Sequence, residues 1–431
     1  MTYEPENQVQ NDKQIMQNKS TFIILLTAVF VDILGFSIVL PILPFWITDL
    51  HQTDLMFGIV LSVYSAVQFI FAPIWGRISD RYGRRPVILI GLFGSALGFI
   101  LMTFTALFAN TIELLILSRV ISGIFASATI PTAQAFVSDI AKPEEKTVLY
   151  GFIGAVSGIA LALGPAIGSI TDLLGEIINI VPNGYWMPAL FAFTIALGNL
   201  VAAYYRLPES LIKTVEEKVN DDVVLSKSGF SMLTISVLSI MFISAIIQLS
   251  FAILDSVMVL FGKIRIPNFD TFQAGMILLT AGITMIIIQG FVLQLILKKL
   301  SENFLLITGL LVLASAFFLA TFTTTYEYML LMALPIAFGL SISNPIVASK
   351  ITKYANPANQ GALLGLNESM GAFMRVIGPL IGTGLLVISP DYPWLFSVVI
   401  LVIGVVISIK LSFNKGVELD SSSKAQTIPS V

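Results

Sequence analysis

Residues 393–413 read PWLFSVVILVIGVVISIKLSF, with one charged residue, Lys410, near the end. About 20 residues of α-helix cross a hydrocarbon layer of roughly 30 Å, so this segment is long enough to span a membrane. Of the 431 residues in the chain, 56% are hydrophobic and 11% are charged, and the mean hydropathy is +0.91. An ordinary soluble domain has roughly 45–50% apolar and about 25% charged residues. The composition excludes a soluble enzyme, a nucleic-acid-binding protein and a disordered chain, and predicts an integral membrane protein.

Twelve apolar runs of comparable length follow one another along the chain. They lie near residues 21–47, 56–75, 87–108, 112–135, 148–171, 185–205, 232–259, 273–297, 304–323, 328–349, 361–388 and 393–413. None shows the two-residue alternation of a barrel strand, and in lipid an α-helix satisfies the backbone of such a run. The predicted fold class is therefore all-α: a polytopic membrane protein with twelve transmembrane helices.

Lysine and arginine residues are distributed unequally among the predicted loops. Of the 23, nineteen fall in the two tails and the even-numbered loops, and the opposite loops hold only Lys263 and Arg265. The remaining two, Arg119 and Arg375, lie inside predicted spans. Because basic loops stay on the cytoplasmic side, this asymmetry predicts a multi-pass protein of the cell membrane with both termini cytoplasmic.

The two halves of the chain share a pattern at a shift of 214 residues. Under that shift Gly164-Pro165 and Gly168 coincide with Gly378-Pro379 and Gly382. Such a repeat predicts two pseudo-symmetric halves of six helices, as in transporters built from repeats. The predicted organisation is a cytoplasmic N-terminal tail at 1–20, an N-terminal six-helix half at 21–205, a cytoplasmic linker at 206–231, a C-terminal six-helix half at 232–413 and a cytoplasmic C-terminal tail at 414–431.

A glycine- and arginine-rich motif follows the second predicted helix. Residues 76–86 read GRISDRYGRRP, which resembles the signature of the major facilitator superfamily between helices 2 and 3, G-x-x-x-D-R-x-G-R-R/K. The glycines permit close helix approach and a tight turn, and the arginines can bind acidic partners or lipid phosphates. The alternative is a basic loop that only sets topology. The predicted cytoplasmic gate motif consists of Gly76, Asp80, Arg81, Gly83, Arg84 and Arg85.

Three further motifs resemble the twelve-helix drug:proton antiporter branch of that superfamily, which includes multidrug and tetracycline efflux proteins. Asp32 begins the pattern D-x-x-G-x5-P-x-x-P in helix 1, and Arg119 begins R-x-x-x-G in helix 4. Helix 5 carries small residues at three- and four-residue spacing, which let helices pack closely in lipid or form a hinge. This predicted helix-packing and antiporter motif consists of Gly154, Gly158, Gly164, Pro165 and Gly168.

Charged residues inside the spans are the candidates for proton coupling, since each costs roughly 2.5–3.5 kcal/mol at the bilayer centre. Four of them, Asp32, Arg119, Glu368 and Arg375, are predicted to lie in the proton-coupling site or substrate cavity. In a low-dielectric cavity a carboxylate holds its proton more tightly, and a nearby arginine favours its release. Two alternatives stay open: ion pairs that only fix helix register, and recognition of a charged substrate group by Glu368 and Arg375. Asp255 is interpreted as an outer-mouth residue.

The resemblance implies a secondary active transporter that exports small, largely apolar compounds of the drug or antibiotic type in exchange for protons. No cofactor and no catalytic chemistry are expected, because the chain has no cysteine, one histidine and no ATP-binding G-x-x-x-x-G-K-[ST] loop. The expected partners are a small-molecule substrate, protons and membrane lipid, with no nucleic acid, and the expected state is a monomer. The alternatives are a lipid or glycolipid flippase, proton-coupled uptake of a metabolite, and, in another class, a membrane receptor or enzyme.

Overall fold

The computed structural model describes the backbone of residues 6–140, 146–181, 183–210, 235–354 and 360–425. Every regular element in these ranges is a helix, and twelve helical segments are long and apolar enough to cross a membrane. The prediction of an all-α, polytopic fold with twelve transmembrane helices is confirmed. The ends of the predicted tails and most of the predicted linker lie outside the described residues, at 1–5, 211–231 and 426–431.

The spans are built from α-helices that are in places interrupted by a turn. The first six spans consist of α1 (Glu6–Val39), α2 (Leu43–Asp49), α3 (Asp54–Tyr82), α4 (Arg84–Phe104), α5 (Ile112–Ala126), α6 (Thr129–Ile140), α7 (Lys146–Ile178) and α8 (Trp186–Arg206). The other six consist of α9 (Ile235–Arg265), α10 (Thr271–Ile287), α11 (Leu293–Leu297), α12 (Glu302–Ala320), α13 (Tyr326–Tyr354), α14 (Gln360–Ile388) and α15 (Tyr392–Ala425). π-Helical turns at Thr105–Ala109 and Ile288–Val292 extend α4 and join α10 to α11.

Prolines account for two of the interruptions. The fourth span divides at Ser127 and Ala128 into α5 and α6, because Pro131 has no N–H to donate to the Ser127 carbonyl. In the first span α1 ends at Val39, two residues before Pro41, and α2 then begins at Leu43. Both breaks turn a single apolar run of the sequence into two shorter helices.

The chain divides into two compact units. The first unit comprises Met1–Thr214 together with Asp270–Gly282, and the second comprises Val215–Phe269 and Ile283–Val431. Residues 270–282, which the predicted C-terminal half includes, therefore group with the first unit. The boundaries of the two six-helix halves stay a prediction.

The repeated Gly-Pro-x-x-Gly motif packs against an equivalent helix in each unit. In the first unit, Gly164 and Gly168 of α7 lie against α1, and a Cβ at Gly168 would overlap the backbone of Ile38. In the second unit, Gly378 and Gly382 of α14 lie against α9. The motif thus brings its helix onto the first long helix of its own unit, at positions related by the 214-residue shift.

Candidate functional site: buried charges of the first unit

Asp32 lies in the middle of the first span and is only 8% exposed. The Ser95 hydroxyl of α4 donates a hydrogen bond of 2.8 Å to Asp32 Oδ1, and Thr129 at the start of α6 is a second polar neighbour of the carboxyl group. No basic side chain that the structure describes lies within 4.0 Å of this carboxylate. Asp32 is therefore a buried acid with hydroxyl neighbours and, among the described side chains, no ion-pair partner.

Arg119 of α5 is buried more deeply, with 2% of its surface exposed. Its Nη2 donates to the sulfur of Met102, and its Nε has no hydrogen-bond partner in the described part of the chain. No described carboxylate lies within 4.0 Å of the guanidinium. Asp32 and Arg119 therefore do not form a direct ion pair in this structure, and such a pair does not fix the register of their helices.

Tyr64 of α3 lies within electrostatic range of both buried charges, Asp32 and Arg119. It is 6% exposed, and its ring stacks on Phe36 with centroids 4.9 Å apart. Gln68 Nε2 donates to the Tyr64 hydroxyl over 3.0 Å. In the sequence, Tyr64 and Gln68 are two of several neutral polar residues in the spans, which could line a cavity or form hydrogen bonds between helices. The packing of α1, α3 and α5 places the Tyr64 hydroxyl within electrostatic range of Asp32 and Arg119.

A second buried carboxylate, Asp172, lies near the end of α7. It is 2% exposed, and its Oδ1 has no hydrogen-bond partner among the described residues. The acids Asp49 and Glu176 lie close enough to interact with it electrostatically. Tyr185 donates a hydrogen bond of 2.6 Å to Asp49, and burial together with that carboxylate raises the pKa of the Tyr185 phenol. The sequence gives no signal for this burial, because Asp172 lies just beyond the predicted fifth span at 148–171.

The predicted gate motif forms an ion cluster centred on Arg84. The Arg84 side chain pairs with Asp80 one turn earlier, and its Nε lies 3.0 Å from Asp139 Oδ2 at the end of α6. Its Nη1 also donates to the Ser79 hydroxyl over 2.8 Å. Arg84 is 7% exposed, so these charge-assisted hydrogen bonds are largely shielded from solvent. The motif thereby joins α3, α4 and α6.

Glu209 completes this cluster, although nothing in the sequence separates it from the other acids of the predicted linker. Its carboxylate accepts the backbone N–H groups of Arg84 and Arg85 over 2.8 and 3.2 Å. These are the first two residues of α4, where a negative charge is favoured by the helix dipole. The Arg85 guanidinium also donates to the Tyr204 carbonyl of α8 over 2.6 Å. The turn between α3 and α4 is thus fixed to the end of α8.

The two glycines of the gate motif have different surroundings. Gly83 has a φ of 111°, which side-chain-bearing residues rarely adopt, and a Cβ there would lie 2.5 Å from Glu209 Oε2. A Cβ on Gly76 would meet no atom within 4 Å, so the predicted close helix approach is not seen at that residue among those described. Arg81 is exposed, with its guanidinium 5.7 Å from the centre of the Tyr82 ring.

The predicted antiporter motif also separates into two parts. Gly164 and Gly168 contact α1, and Pro165 accepts a hydrogen bond of 2.9 Å from Ser169 within α7. Gly154 and Gly158 are exposed, and a Cβ on either would meet nothing within 4 Å in the described structure. The expected helix packing is therefore present at the second part of the motif and not at the first.

In the second unit, the structure describes one of the two predicted charges. The side chain of Glu368 lies outside the described residues. Arg375 is exposed on α14, and a Cβ built on Gly371 would lie 3.6 Å from its Nη1 and 3.3 Å from Gln248 Nε2 of α9. Arg375 therefore lies beside the contact between α9 and α14. Among the described residues, no group of three His, Cys, Asp or Glu side chains is arranged to hold a metal ion.

In the described part of the chain, twelve helices are able to span a membrane and enclose buried charges without an ion-pair partner, an arrangement typical of a polytopic membrane transporter. The chain belongs to the Major Facilitator Superfamily, whose model matches residues 25–379 and 292–429. Its relatives include Multidrug resistance protein 1 of Bacillus subtilis (strain 168), 28% identical over 396 residues, which are 91% of this chain and 97% of that protein. The class D tetracycline resistance protein of Salmonella ordonez is 30% identical over 364 residues, 83% and 88% of the two chains.

The fold is also that of a solved transporter structure. A bacterial homologue of the human lysosomal transporter Spinster, in an inward-facing and unoccupied conformation, superimposes with a TM-score of 0.74 at 14% identity. The match covers 92% of this chain and 97% of that one. The resemblance to the multidrug and tetracycline efflux proteins predicted from the motifs is confirmed by the sequence relatives, and the structural likeness confirms the fold.

Proposed function

We propose that the protein exports small, largely apolar compounds of the drug or antibiotic type in exchange for protons, by alternating access. The observation that carries the proposal is the buried Asp32, which has a hydroxyl donor in Ser95 and no described basic partner within 4.0 Å. A carboxylate in such a setting can hold a proton in one state of the cycle and release it in another. The multidrug and tetracycline resistance relatives support the same substrate class.

In this proposal, substrate and proton compete for a cavity that contains Asp32. When Asp32 is protonated, the charge of the buried Arg119 is uncompensated, and when the proton leaves, the two charges offset each other through space. Proton occupancy therefore changes the electrostatic energy of the first unit, where Tyr64 lies within electrostatic range of both charges. Glu368 and Arg375 remain candidates for a second coupling pair or for recognition of a charged group on the substrate.

The motif at residues 76–85 is proposed as a gate on the cytoplasmic side. The cluster of Arg84 with Asp80, Asp139 and Glu209 supports this role, because it fixes the turn before α4 to two other helices. A rigid turn can transmit a movement of α3 or α8 to α4, whereas a loop held only by solvent cannot. Both termini and this motif are proposed to be cytoplasmic, on the basis of the basic loops, and the working unit is proposed to be a monomer.

Purified protein in proteoliposomes with an imposed pH gradient tests the exchange reaction. A panel of fluorescent dyes and tetracyclines should accumulate in vesicles with an acidic lumen, and a protonophore should stop the accumulation. Transport that ignores the gradient would contradict proton coupling. Movement of substrate in the same direction as protons would favour proton-coupled uptake, and redistribution of a labelled lipid between leaflets would favour a flippase.

Alanine at Gly83 is expected to impair both folding stability and export. Its φ of 111° and ψ of 156° lie in a region used almost only by glycine, so another residue costs about 1–3 kcal/mol there. The added Cβ would also displace the Glu209 carboxylate. The measurements are the thermal midpoint in detergent and the initial rate of gradient-driven transport.

The matched control for this change is Gly76→Ala in the same motif, where the added Cβ meets open space. This variant should behave like the unmodified protein in both measurements. If Gly83→Ala and Gly76→Ala transport equally fast, the turn before α4 has no gating role.

A further inference from the structure

Asp172 of α7 is a buried acid that no step of the proposed transport cycle uses. It is 2% exposed, and its Oδ1 has no hydrogen-bond partner among the described residues. No basic side chain that the structure describes lies within 4.0 Å of its carboxyl group. Burial of a carboxylate without a cation is costly, whereas burial of the neutral acid costs much less. The groups around Asp172 therefore decide whether it carries a proton.

Two neighbouring segments cover the Asp172 side chain. A Cβ built on Gly184, just before α8, would lie 2.8 Å from Asp172 Oδ1, so the backbone of this segment lies directly against the carboxyl group. The Thr271 side chain, at the start of α10, is a hydroxyl neighbour of the same group. Ser169 of α7 donates a hydrogen bond of 2.7 Å to the Thr271 carbonyl, and residues 270–282 belong to the same unit as α7. These contacts separate Asp172 from solvent.

The described titratable groups that face Asp172 are all acids. Glu176, one turn later on α7, and Asp49, at the end of α2, interact with it electrostatically, and both are exposed. Tyr185, next to Gly184, is also within electrostatic range, and its phenol donates to Asp49 over 2.6 Å. The α10 neighbour Thr271 is neutral. A negative charge on Asp172 is therefore repelled by two carboxylates as well as desolvated.

The neutral form of Asp172 fits these surroundings better than the charged form. A hydroxyl group both donates and accepts, so Thr271 can accept the O–H of a carboxylic acid as well as donate to a carboxylate. Oδ1 is then the carbonyl oxygen of an uncharged group, and an uncharged oxygen without a donor costs less than a charged one. The proton comes from solvent at the exposed acids Asp49 and Glu176, forms one O–H bond at the carboxyl group, and returns to solvent when the covering segments separate.

We infer that Asp172 is a proton-binding residue that holds one end of the first unit closed: it is neutral while Gly184 and Thr271 pack on it, and it ionises when that packing opens. Asp49 lies just before α3 and the gate motif lies at the end of α3, so the two features are separated by a helix of 29 residues, roughly 43 Å long. The use of this proton in a transport cycle rests on the exchange reaction proposed above.

Maleimide labelling of a single cysteine in detergent tests the inference, because the chain has no cysteine of its own. Ser169→Cys places a thiol at the contact of α7 with α10, where Ser169 is 1% exposed. Thr324→Cys places one in the exposed connection between α12 and α13 and corrects for the pH dependence of thiol reactivity itself. The ratio of the two labelling rates measures opening. It should rise about tenfold for each pH unit in the range where Asp172 ionises, because opening then releases one proton.

Three further changes, each made in the Ser169→Cys protein, assign that proton. Asp172→Asn is permanently neutral and should keep the rate ratio low and independent of pH. Glu176→Gln removes a repelling charge, so the closed state tolerates the Asp172 carboxylate better and the total rise of the ratio should be smaller. Asp32→Asn should leave the pH dependence unchanged, because Asp32 and Asp172 have different neighbours.

A rate ratio that is independent of pH, or a pH dependence that persists in Asp172→Asn or disappears in Asp32→Asn, would overturn the inference. If Ser169→Cys does not yield monodisperse protein, infrared difference spectra of the cysteine-free chain between acidic and alkaline buffer answer the same question. They should contain a carbonyl band of a protonated carboxyl group that Asp172→Asn lacks, and identical spectra would contradict the assignment. No substrate or gradient is present, so pH-dependent opening in a protein that exchanges no protons contradicts the transport proposal alone.

Discussion

Asp32→Asn is expected to lower proton-driven export by roughly tenfold or more, because an amide cannot carry the proton that the buried carboxylate exchanges. Exchange of labelled for unlabelled substrate at equal pH on both sides should persist, since that reaction needs no net proton movement. The two rates are measured in the same proteoliposomes, so the comparison separates loss of coupling from loss of folded protein.

Two variants serve as controls for the Asp32 experiment. Asp32→Glu keeps an ionisable group and should retain part of the gradient-driven rate. Asp255→Asn also removes a carboxylate from a span, but Asp255 is interpreted as an outer-mouth residue. This variant should therefore have little effect on the rate of gradient-driven export. If Asp32→Asn exports substrate at an undiminished rate, Asp32 has no part in coupling.

Gly168→Val is expected to give the largest loss of stability. A Cβ at Gly168 would overlap the backbone of Ile38, and the backbone of α1 cannot move aside as a flexible side chain could. Overpacking of this kind costs roughly 1–3 kcal/mol or more. The thermal midpoint of the detergent-solubilised protein should fall, together with the yield of monodisperse protein.

Gly158→Val on the same helix is the matched control, because a Cβ there meets no described atom within 4 Å. Its effect should stay within about 0.5 kcal/mol, as for most surface changes. Equal destabilisation by the two variants would show that α7 tolerates no valine for reasons of its own rather than through contact with α1.

The sequence was sufficient for the fold and for the two buried charges Asp32 and Arg119. Length and hydropathy specify membrane helices because lipid leaves the backbone few alternatives, and Asp32 and Arg119 are conspicuous because charges are costly in a span. Because Asp32 and Arg119 have opposite signs and similar predicted depth, the sequence allowed an ion pair between them. In the structure, each of the two side chains instead has neutral hydrogen-bond partners. The distance between two side chains on different helices depends on how each helix is rotated about its axis. The pattern of charges along the sequence does not specify that rotation.

Other residues of the candidate site could not have been predicted for the same reason. The glycines of α7 have equivalent spacing, yet Gly168 meets α1 whereas Gly158 meets nothing in the described structure. Tyr64 is one of several neutral polar residues in the spans, and Asp172 lies just beyond the predicted fifth span, so neither is distinguished until neighbouring helices surround it. Glu209 is one acid among several near the linker, and only the turn at Gly83 shows which one accepts the first N–H groups of α4.

The hydrogen bond from Arg84 to Glu209 joins residues that are 125 positions apart, and this separation has a consequence for the order of synthesis. The ribosome completes α3 and α4 long before Glu209 emerges, so the first turn of α4 has to enter the membrane interface uncapped. The turn between α3 and α4 acquires its final geometry only after α8 has been inserted. Ribosome-arrested chains in which Glu209 has not emerged should therefore expose this turn to protease, and chains long enough to bring Glu209 out of the ribosome should protect it.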